Sequence, residues 1–370
     1  MILLNDFRRQ WEDIRADAAA AFETVGASGW YILGAEVTAF EKALADQWGL
    51  AHAVGVASGL DAIELSLKAL GCAAGDMVLT TPLSAFATTL AIVKLGAVPI
   101  FVDCDRYGLI DLEQCREVLR AQPSIRYLVP VHLYGHSLNL AALRSLRDEF
   151  ELRIVEDCAQ SVLATSDGLP TGSVGQMAAT SFYPTKNLGA FGDGGAVLTG
   201  EETLAAKVRC LRDYGQSRKY VHAEIGYNSR LDELQSALLR RVQLPRLAAW
   251  TAHRRVVAAQ YNAGIQHAGI RPMASPRDSN SCWHLYPVVV DPDRKQDFLS
   301  WLKSQGVGAG EHYPILMPDQ CAMKSVAHQV IRECTQARKI ALGEVSLPIH
   351  PYLKEEEIER VLDVCNRWSG

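Results

Sequence analysis

From about residue 50, the chain alternates short apolar runs rich in β-branched residues with segments of helical length. This alternation is typical of β-α units on a mostly parallel sheet. The predicted strands are HAVGVAS, DMVLTTP, VPIFVDC, RYLVPVHLYG, RIVEDC and GAVLTG, and the predicted helices are DAIELSLKALG, FATTLAIVKLG, DLEQCREVLRAQ and AALRSLRDEF. We therefore expect an α/β fold in which loops and helix N-termini meet at the carboxyl ends of the strands.

The pattern changes after Asn228. A long segment with helical period follows, and we expect Pro245 to interrupt it. Beyond it, a small α/β sandwich is predicted from WHLYPVVVD, DFLSWLKSQG, VSLPI and LKEEEIERVLDVCNRW. We therefore assign residues 1–245 to a large domain that includes the N-terminal segment, and residues 246–370 to a small C-terminal domain. A length of 370 residues fits this division.

Composition and charge narrow the class of protein. Hydrophobic residues make up 48% of the chain and charged residues 21%, as in ordinary soluble globular proteins. The net charge of -5, without a dense Lys/Arg cluster, excludes a nucleic-acid surface. The nine cysteines are scattered and form no C-x-x-C pair, which fits reduced thiols. With no signal-peptide pattern and no membrane-spanning apolar run, we expect a cytoplasmic protein.

The first candidate for chemistry is GVASGLDAIELSLKALG, where a predicted strand runs into Ser58 and Gly59 and a helix follows. Free backbone N–H groups and the helix dipole make such a turn a phosphate site. Many β-α turns have the same composition, so this turn alone leaves an ordinary connection open.

A second candidate is RIVEDCAQS, in which an apolar strand ends at Glu156 and Asp157, with Gln160 close behind. Carboxylates at a buried strand end are costly unless a cation meets them. Asp157 is therefore a candidate partner for a protonated ring nitrogen. The alternative is an N-cap for the next helix.

The third candidate is Lys186, within SFYPTKNLGAFGDGG. A surface lysine in a glycine-rich turn is the ordinary interpretation. A lysine that attacks a carbonyl must be partly desolvated so that its pKa falls, and glycines allow a cofactor to approach closely.

Together, the three candidates match one cofactor. Gly59, Leu60 and Ser181 would hold a phosphate, Lys186 would meet an aldehyde, and Asp157 would face a pyridine nitrogen. These are the groups of pyridoxal 5'-phosphate. Lys186 would then carry the proton that leaves the amine-bearing carbon between carbons.

The chain also resembles the sugar aminotransferases of the DegT/DnrJ/EryC1/StrS family, within the fold type I, aspartate aminotransferase-like superfamily. The similarity covers nearly the whole chain. It lies in SGWYILGAEVTAFE, SGLDAI, PLSAFATT, VHLYG, VEDCAQ, SFYPTKNLGAFGDGG, GYNSRLDELQSA, EHYP and SLPIHPYL. The resemblance implies an α/β fold with a mostly parallel central sheet and a smaller C-terminal α/β domain.

The resemblance also implies roles for individual residues. Lys186 would be the Schiff-base lysine and Asp157 the partner of the pyridinium nitrogen. Gln160 would bond the phenolic oxygen of the cofactor, and Phe86 would stack on its ring. Asn228 of the neighbouring subunit would complete the phosphate site made by Ser181, Gly59 and Leu60, so the active enzyme would be a homodimer with shared active sites.

Within the family, SFYPTKNLGAFGDGG and SGLDAI are more similar to enzymes that aminate C3 of a nucleotide-linked sugar. Tyr183, within the first of these stretches, is part of the similarity that indicates C3. The expected reaction converts a dTDP-3-keto-6-deoxyhexose to the 3-amino sugar, with glutamate as donor and pyridoxamine 5'-phosphate as intermediate. A C4 aminotransferase, a dehydratase of the same fold and a non-catalytic binding protein are the alternatives. Lys186 speaks against the dehydratase, in which histidine replaces the lysine. Val162 stands where many relatives have a histidine near the sugar.

Further residues are candidates for the sugar-nucleotide entrance, because a diphosphate binds cations and aromatic or imidazole donors. They are Tyr31, Tyr220, His222, Arg230, His312 and Tyr313. A solvated, packing or interface role is the alternative for each. No metal site is expected, since His132 and His136 would need a helix to face one another.

Overall fold

The computed structural model describes residues 1–369. The strands are β1 (His52–Val56), β2 (Met77–Thr80), β3 (Val98–Phe101), β4 (Tyr127–Val129), β5 (Arg153–Asp157), β6 (Thr165–Ser166), β7 (Leu169–Pro170), β8 (Met177–Ser181), β9 (Gly195–Thr199), β10 (Gln216–Arg218), β11 (Val221–His222), β12 (Arg271–Pro272), β13 (Ser279–Asn280), β14 (Tyr286–Val289), β15 (Gln329–Val330) and β16 (Glu344–Leu347). The helices are α1 (Phe7–Ser28), α2 (Ala35–Trp48), α3 (Gly59–Ala69), α4 (Phe86–Lys94), α5 (Leu112–Ala121), α6 (Leu140–Phe150), α7 (Glu202–Arg212), α8 (Glu233–Leu238), α9 (Leu244–Gly264), α10 (Lys295–Ser304), α11 (Thr335–Gly343) and α12 (Glu355–Asn366).

The largest sheet has eight strands in the order β1-β9-β8-β5-β4-β2-β3-β15. Strand β9 runs antiparallel to both of its neighbours, and the other pairs are parallel. The expectation of a mostly parallel α/β sheet is confirmed. Because β5 and β8 are adjacent and parallel, their carboxyl ends at Asp157 and Ser181 lie side by side.

The predicted strands and helices of this region are all present. Strand β8 is the addition, because its sequence MAATS offers two alanines and little of the β-branched signal used for the prediction. All five of its residues are buried, so its place between β5 and β9 decides its conformation.

The interruption expected at Pro245 is a π-helical turn. Helix α8 leads into a π turn at Leu239–Gln243, and Pro245 stands in the first turn of α9. The chain therefore stays helical through the proline. A wider turn before the proline accommodates its ring and its missing N–H, which would strain a regular α-helix.

A second, three-stranded antiparallel sheet lies in the C-terminal part, in the order β12-β14-β16. It packs with α9, α10 and α12 around a separate apolar core that includes Tyr261, Tyr286 and Phe298. The N-terminal segment joins this core through Ile2, and β15 joins the edge of the large sheet. The boundary at residues 245 and 246 stays a prediction.

None of the helices within residues 1–369 is both long and apolar enough to span a membrane.

Candidate active site

A cavity of about 460 Å³ opens at the carboxyl ends of β5 and β8, beside the first turn of α3. It gathers residues that are far apart in the sequence. Nine of the predicted site residues line it: Gly59, Leu60, Asp157, Gln160, Ser181, Tyr183, Lys186, His312 and Tyr313.

One end of the cavity is built to hold an anion. The amides of Gly59 and Leu60 begin α3 and have no partner inside the helix. A Cβ on Gly59 would lie 2.6 Å from the Cβ of Ser181, so only glycine lets the Ser181 hydroxyl lie against this helix terminus. Backbone donors, a hydroxyl and the helix dipole therefore converge, as in phosphate sites.

Asp157 is held at the end of β5 with its carboxylate directed into the cavity. Its Oδ1 accepts a hydrogen bond from the amide of Ala159 at 3.0 Å, and its Oδ2 accepts one from the Thr88 hydroxyl at 2.8 Å. Burial raises the pKa of Asp157, whereas these donors and the charge of Lys186 lower it. A buried carboxylate of this kind fits a protonated ring nitrogen.

The preceding carboxylate, Glu156, has a structural role. It accepts hydrogen bonds from three backbone amides between residues 172 and 175 and lies 2.8 Å from Nε2 of His132. Nδ1 of His132 accepts a hydrogen bond from the amide of Leu138, so the ring hydrogen is on Nε2, which donates to Glu156. Burial opposes ionisation of Glu156, but these donors hold its pKa below the usual value. Although His132, Glu156 and Cys158 are close together, these bonds leave little room for a metal.

Lys186 lines the cavity and is half-buried. Burial lowers its pKa to about 8, against the opposing charge of Asp157. A substantial fraction of the amine is therefore unprotonated just above neutral pH, as a lysine that attacks a carbonyl requires. The lysine loop is compact, since the amide of Lys186 donates to the carbonyl of Tyr183 at 2.8 Å.

Gln160 presents its amide nitrogen to the cavity. Its Oε1 accepts from the amide of Tyr134 at 2.7 Å, which turns Nε2 toward the Tyr313 hydroxyl at 3.2 Å. The orientation of the side chain is thereby fixed as a donor. A donor here suits the phenolic oxygen of the expected cofactor.

The residues present fit pyridoxal phosphate in each of its functional groups. The α3 terminus with Ser181 suits the phosphate, Asp157 the ring nitrogen, Gln160 the phenolic oxygen and Lys186 the aldehyde. When bound, the cofactor supplies a ring that takes up the electron pair left at an amine-bearing carbon. The fold and this site define a pyridoxal phosphate-dependent enzyme of fold type I.

Comparison with known proteins specifies the class further. Residues 12–366 match the DegT/DnrJ/EryC1/StrS aminotransferase family. The chain is 39% identical to dTDP-3-amino-3,4,6-trideoxy-alpha-D-glucose transaminase of Streptomyces venezuelae, over 98% of this chain and 95% of that protein. The chain therefore belongs to the DegT/DnrJ/EryC1/StrS family and is an aminotransferase that uses pyridoxal phosphate, with pyridoxamine phosphate as its aminated form.

Solved structures agree with this assignment. The crystal structure of DesV from S. venezuelae matches with a TM-score of 0.94 and 38% identity, over 99% of this chain and 98% of that chain. NtdA from Bacillus subtilis, solved with bound pyridoxamine phosphate, matches with a TM-score of 0.87 and 27% identity over 95% and 81% of the two chains.

Phe86 is turned away from the cavity. It begins α4, and its ring packs against Phe101 and Met317, while the neighbouring Ala85 and Ala87 line the cavity. The stacking role implied by the resemblance stays a prediction that this conformation does not support. Val162 is likewise outside the cavity, buried in an apolar cluster.

Five other predicted residues lie outside the cavity of their own chain. Arg230 donates to Asn228 at 2.7 Å, and Tyr220 and His222 belong to the hairpin of β10 and β11. Tyr31 is half exposed beside α8, where its carbonyl accepts from the amide of Glu233. Their roles in binding stay predictions.

The sequence analysis missed several polar residues of the cavity wall, among them Thr88 and His284. Thr88 donates to Asp157, and His284 lies 3.3 Å from the side-chain oxygen of Asn187 through Nδ1. Thr88 shares the helix FATTLAIVK with Thr89 and Lys94, and nothing in the local sequence distinguishes it. Nothing in the local sequence around His284 indicates that it meets the lysine loop about a hundred residues earlier.

Gly59→Ala tests the anion site. The new methyl group would collide with Ser181 and displace the helix terminus from the phosphate. We expect the Kd for pyridoxal phosphate, measured by fluorescence titration of cofactor-free enzyme, to rise roughly tenfold or more. Gly200→Ala is the matched control, because a Cβ there meets nothing within 4 Å. An unchanged Kd in Gly59→Ala would contradict the assignment of the phosphate to this site.

Proposed function

We propose that this aminotransferase transfers the amino group of glutamate to C3 of a dTDP-3-keto-6-deoxyhexose, in deoxyamino-sugar biosynthesis. The observation that carries the chemistry is that Lys186, with a lowered pKa, and Asp157 line one cavity. The sugar is suggested by the S. venezuelae relative, whose name specifies a dTDP-linked 3-amino sugar.

In this proposal, Lys186 would take the proton from the amine-bearing carbon of glutamate in the first half-reaction, and in the second it would deliver a proton to the sugar carbon that receives the amino group, with the cofactor holding the amino group in between. Its lowered pKa lets the same amine accept and return a proton near neutral pH. Asp157 keeps its negative charge toward the ring nitrogen, and Gln160 holds the phenolic oxygen. Tyr183, His312 and Tyr313 line the remaining wall, where the sugar would bind.

The negative charge of the proposed ligands indicates that a second subunit contributes to the site. Lys186 is the one Lys or Arg side chain that lines the cavity within residues 1–369. A nucleotide diphosphate and the carboxylates of glutamate need further cations. Arg230 and Asn228 lie outside the cavity of their own chain, where Arg230 also pairs with Asp213 at 2.9 Å. In this proposal they would enter the site of a neighbouring subunit.

Exposed aromatic side chains also support a homodimer. Tyr31 and Phe191 are 53% and 42% exposed, and both lie beside α8. Tyr220 is 81% exposed at the tip of its hairpin. Exposed apolar residues beside one helix, such as Tyr31 and Phe191, are typical of a surface that another protein covers.

Mixing two inactive variants tests whether the sites are shared. In a heterodimer of Lys186→Ala and Asn228→Ala, one site would receive Lys186 from one subunit and Asn228 from the other. After unfolding and refolding an equal mixture, we expect about a quarter of wild-type activity to return, because half of the dimers are mixed and each has one intact site. The variants refolded separately are the control. Mixtures no more active than the separate variants would place Asn228 in the site of its own chain, or outside the site.

The substrate is tested with a product assay. Purified enzyme loaded with cofactor is offered 3-keto and 4-keto dTDP-hexoses with glutamate, and the products are identified by NMR and mass spectrometry. We expect a 3-amino sugar, and we expect Lys186→Ala to reduce turnover by about a thousandfold or more. Amination at C4 alone would contradict the proposed regiochemistry while leaving the cofactor site intact.

A further inference from the structure

A chain of three buried or half-buried polar groups leads from the small sheet to the cavity wall. Nδ1 of His312 lies 2.9 Å from the Ser346 hydroxyl, which lies 2.5 Å from Oε1 of Glu344. Oε2 of Glu344 accepts from the backbone amide of His312 at 2.6 Å. One carboxylate oxygen of Glu344 therefore reaches the ring of His312 through Ser346, and the other accepts from the backbone of the same histidine.

The other ring nitrogen of His312 is free to meet a ligand. His312 lines the cavity, and no described residue hydrogen-bonds its Nε2. Nε2 is not among the buried polar atoms that lack a partner, which means that it is exposed to the cavity. Whether Nε2 offers a proton or a lone pair depends on which hydrogens Ser346 and Glu344 carry.

Two arrangements satisfy this chain of hydrogen bonds. A neutral Glu344 must carry its proton on Oε1, because Oε2 is the acceptor for the backbone amide. It then donates to Ser346, Ser346 donates to Nδ1 of His312, and Nε2 keeps the N–H. An ionised Glu344 accepts from Ser346, which then accepts from Nδ1–H, and Nε2 is left as an acceptor.

We propose that Glu344 and Ser346 are positioning residues that set the tautomer of His312, so that the neutral carboxyl makes His312 an N–H donor to a keto or hydroxyl oxygen of the sugar. This proposal rests on the proposed function for the identity of the acceptor. The link between Glu344 and the tautomer does not depend on it.

The electrostatic surroundings favour the donor arrangement at neutral pH. Burial raises the pKa of Glu344 to about 8, opposed by the donors from His312 and Ser346 and by Lys295. Burial and the charge of Lys186 lower the pKa of His312 to about 4, so the ring is neutral above pH 5. The titratable and charged groups that face Glu344 and His312 are Lys186, Lys295, Glu311, Tyr134, Tyr313 and His284.

Glu344→Gln separates the two arrangements. The glutamine oxygen must take the place of Oε2 to accept the His312 amide, so its NH₂ group faces Ser346 as a permanent donor. The variant therefore mimics the neutral carboxyl at every pH. Ser346→Ala removes the link to the ring. Glu36→Gln is the matched control, a buried carboxylate that binds Arg240 and Arg241 away from the cavity.

The direct measurement is NMR of holoenzyme labelled with ¹³C and ¹⁵N histidine, with His312→Gln to assign the signal. In wild type and Glu36→Gln, we expect the proton of His312 to move from Nε2 to Nδ1 as the pH rises through about 8. In Glu344→Gln, we expect it to stay on Nε2 throughout. A wild-type tautomer that is the same at both ends of this range, or a Glu344→Gln variant that titrates like wild type, overturns the proposal.

Kinetics test the role of the N–H. We expect the alkaline fall in kcat/KM to be weaker in Glu344→Gln than in wild type, and kcat/KM of Ser346→Ala to fall about tenfold with retained cofactor binding. Identical alkaline limbs in wild type and Glu344→Gln would overturn the donor role. If the tautomer of His312 depends on Glu344 but no 3-keto sugar is aminated, the positioning role of Glu344 and Ser346 is supported and the proposed substrate is contradicted.

Discussion

The half-buried amine of Lys186 and the buried carboxylate of Asp157 share one cavity, and the rest of the site depends on keeping them there. Burial pushes both groups toward their neutral forms, lowering the pKa of the lysine and raising that of the aspartate. The lysine is thereby prepared as a free amine for the aldehyde. For Asp157, the hydrogen bonds from Ala159 and Thr88 and the charge of Lys186 oppose the effect of burial and favour the carboxylate that a protonated ring nitrogen needs. The mostly parallel sheet holds them in place, because β5 ends at Asp157 and β8 leads into the lysine loop.

Neighbouring polar groups decide which buried side chains remain available for chemistry. Glu156 and Asp157 are consecutive, yet Glu156 is saturated by amides and by His132, whereas Asp157 has only Ala159 and Thr88. The alternation of side chains along a strand sends the two carboxylates to opposite faces of the sheet. One therefore supports the fold, and the other faces the cavity.

Much of the site was predictable because its central residues lie in local patterns. Asp157 ends an apolar strand, Gly59 begins a helix after a strand, and Lys186 stands in a glycine-rich loop. The contacts made across the fold were not predictable. Thr88 reaches Asp157, and Ser346 and Glu344 reach His312, through a tertiary arrangement that leaves no periodic signal in the sequence. The direction of Phe86 was hidden for the same reason, since packing against Phe101 decides it.

The central claim is that Lys186 is the residue that binds the cofactor aldehyde, and peptide mapping tests it directly. Holoenzyme is reduced with borohydride, which fixes the cofactor to its lysine, and the digested protein is examined by mass spectrometry. We predict one phosphopyridoxyl group, on Lys186 of SFYPTKNLGAFGDGG. A label on a different lysine, or reduced protein without a label after incubation with excess cofactor, would contradict this role of Lys186.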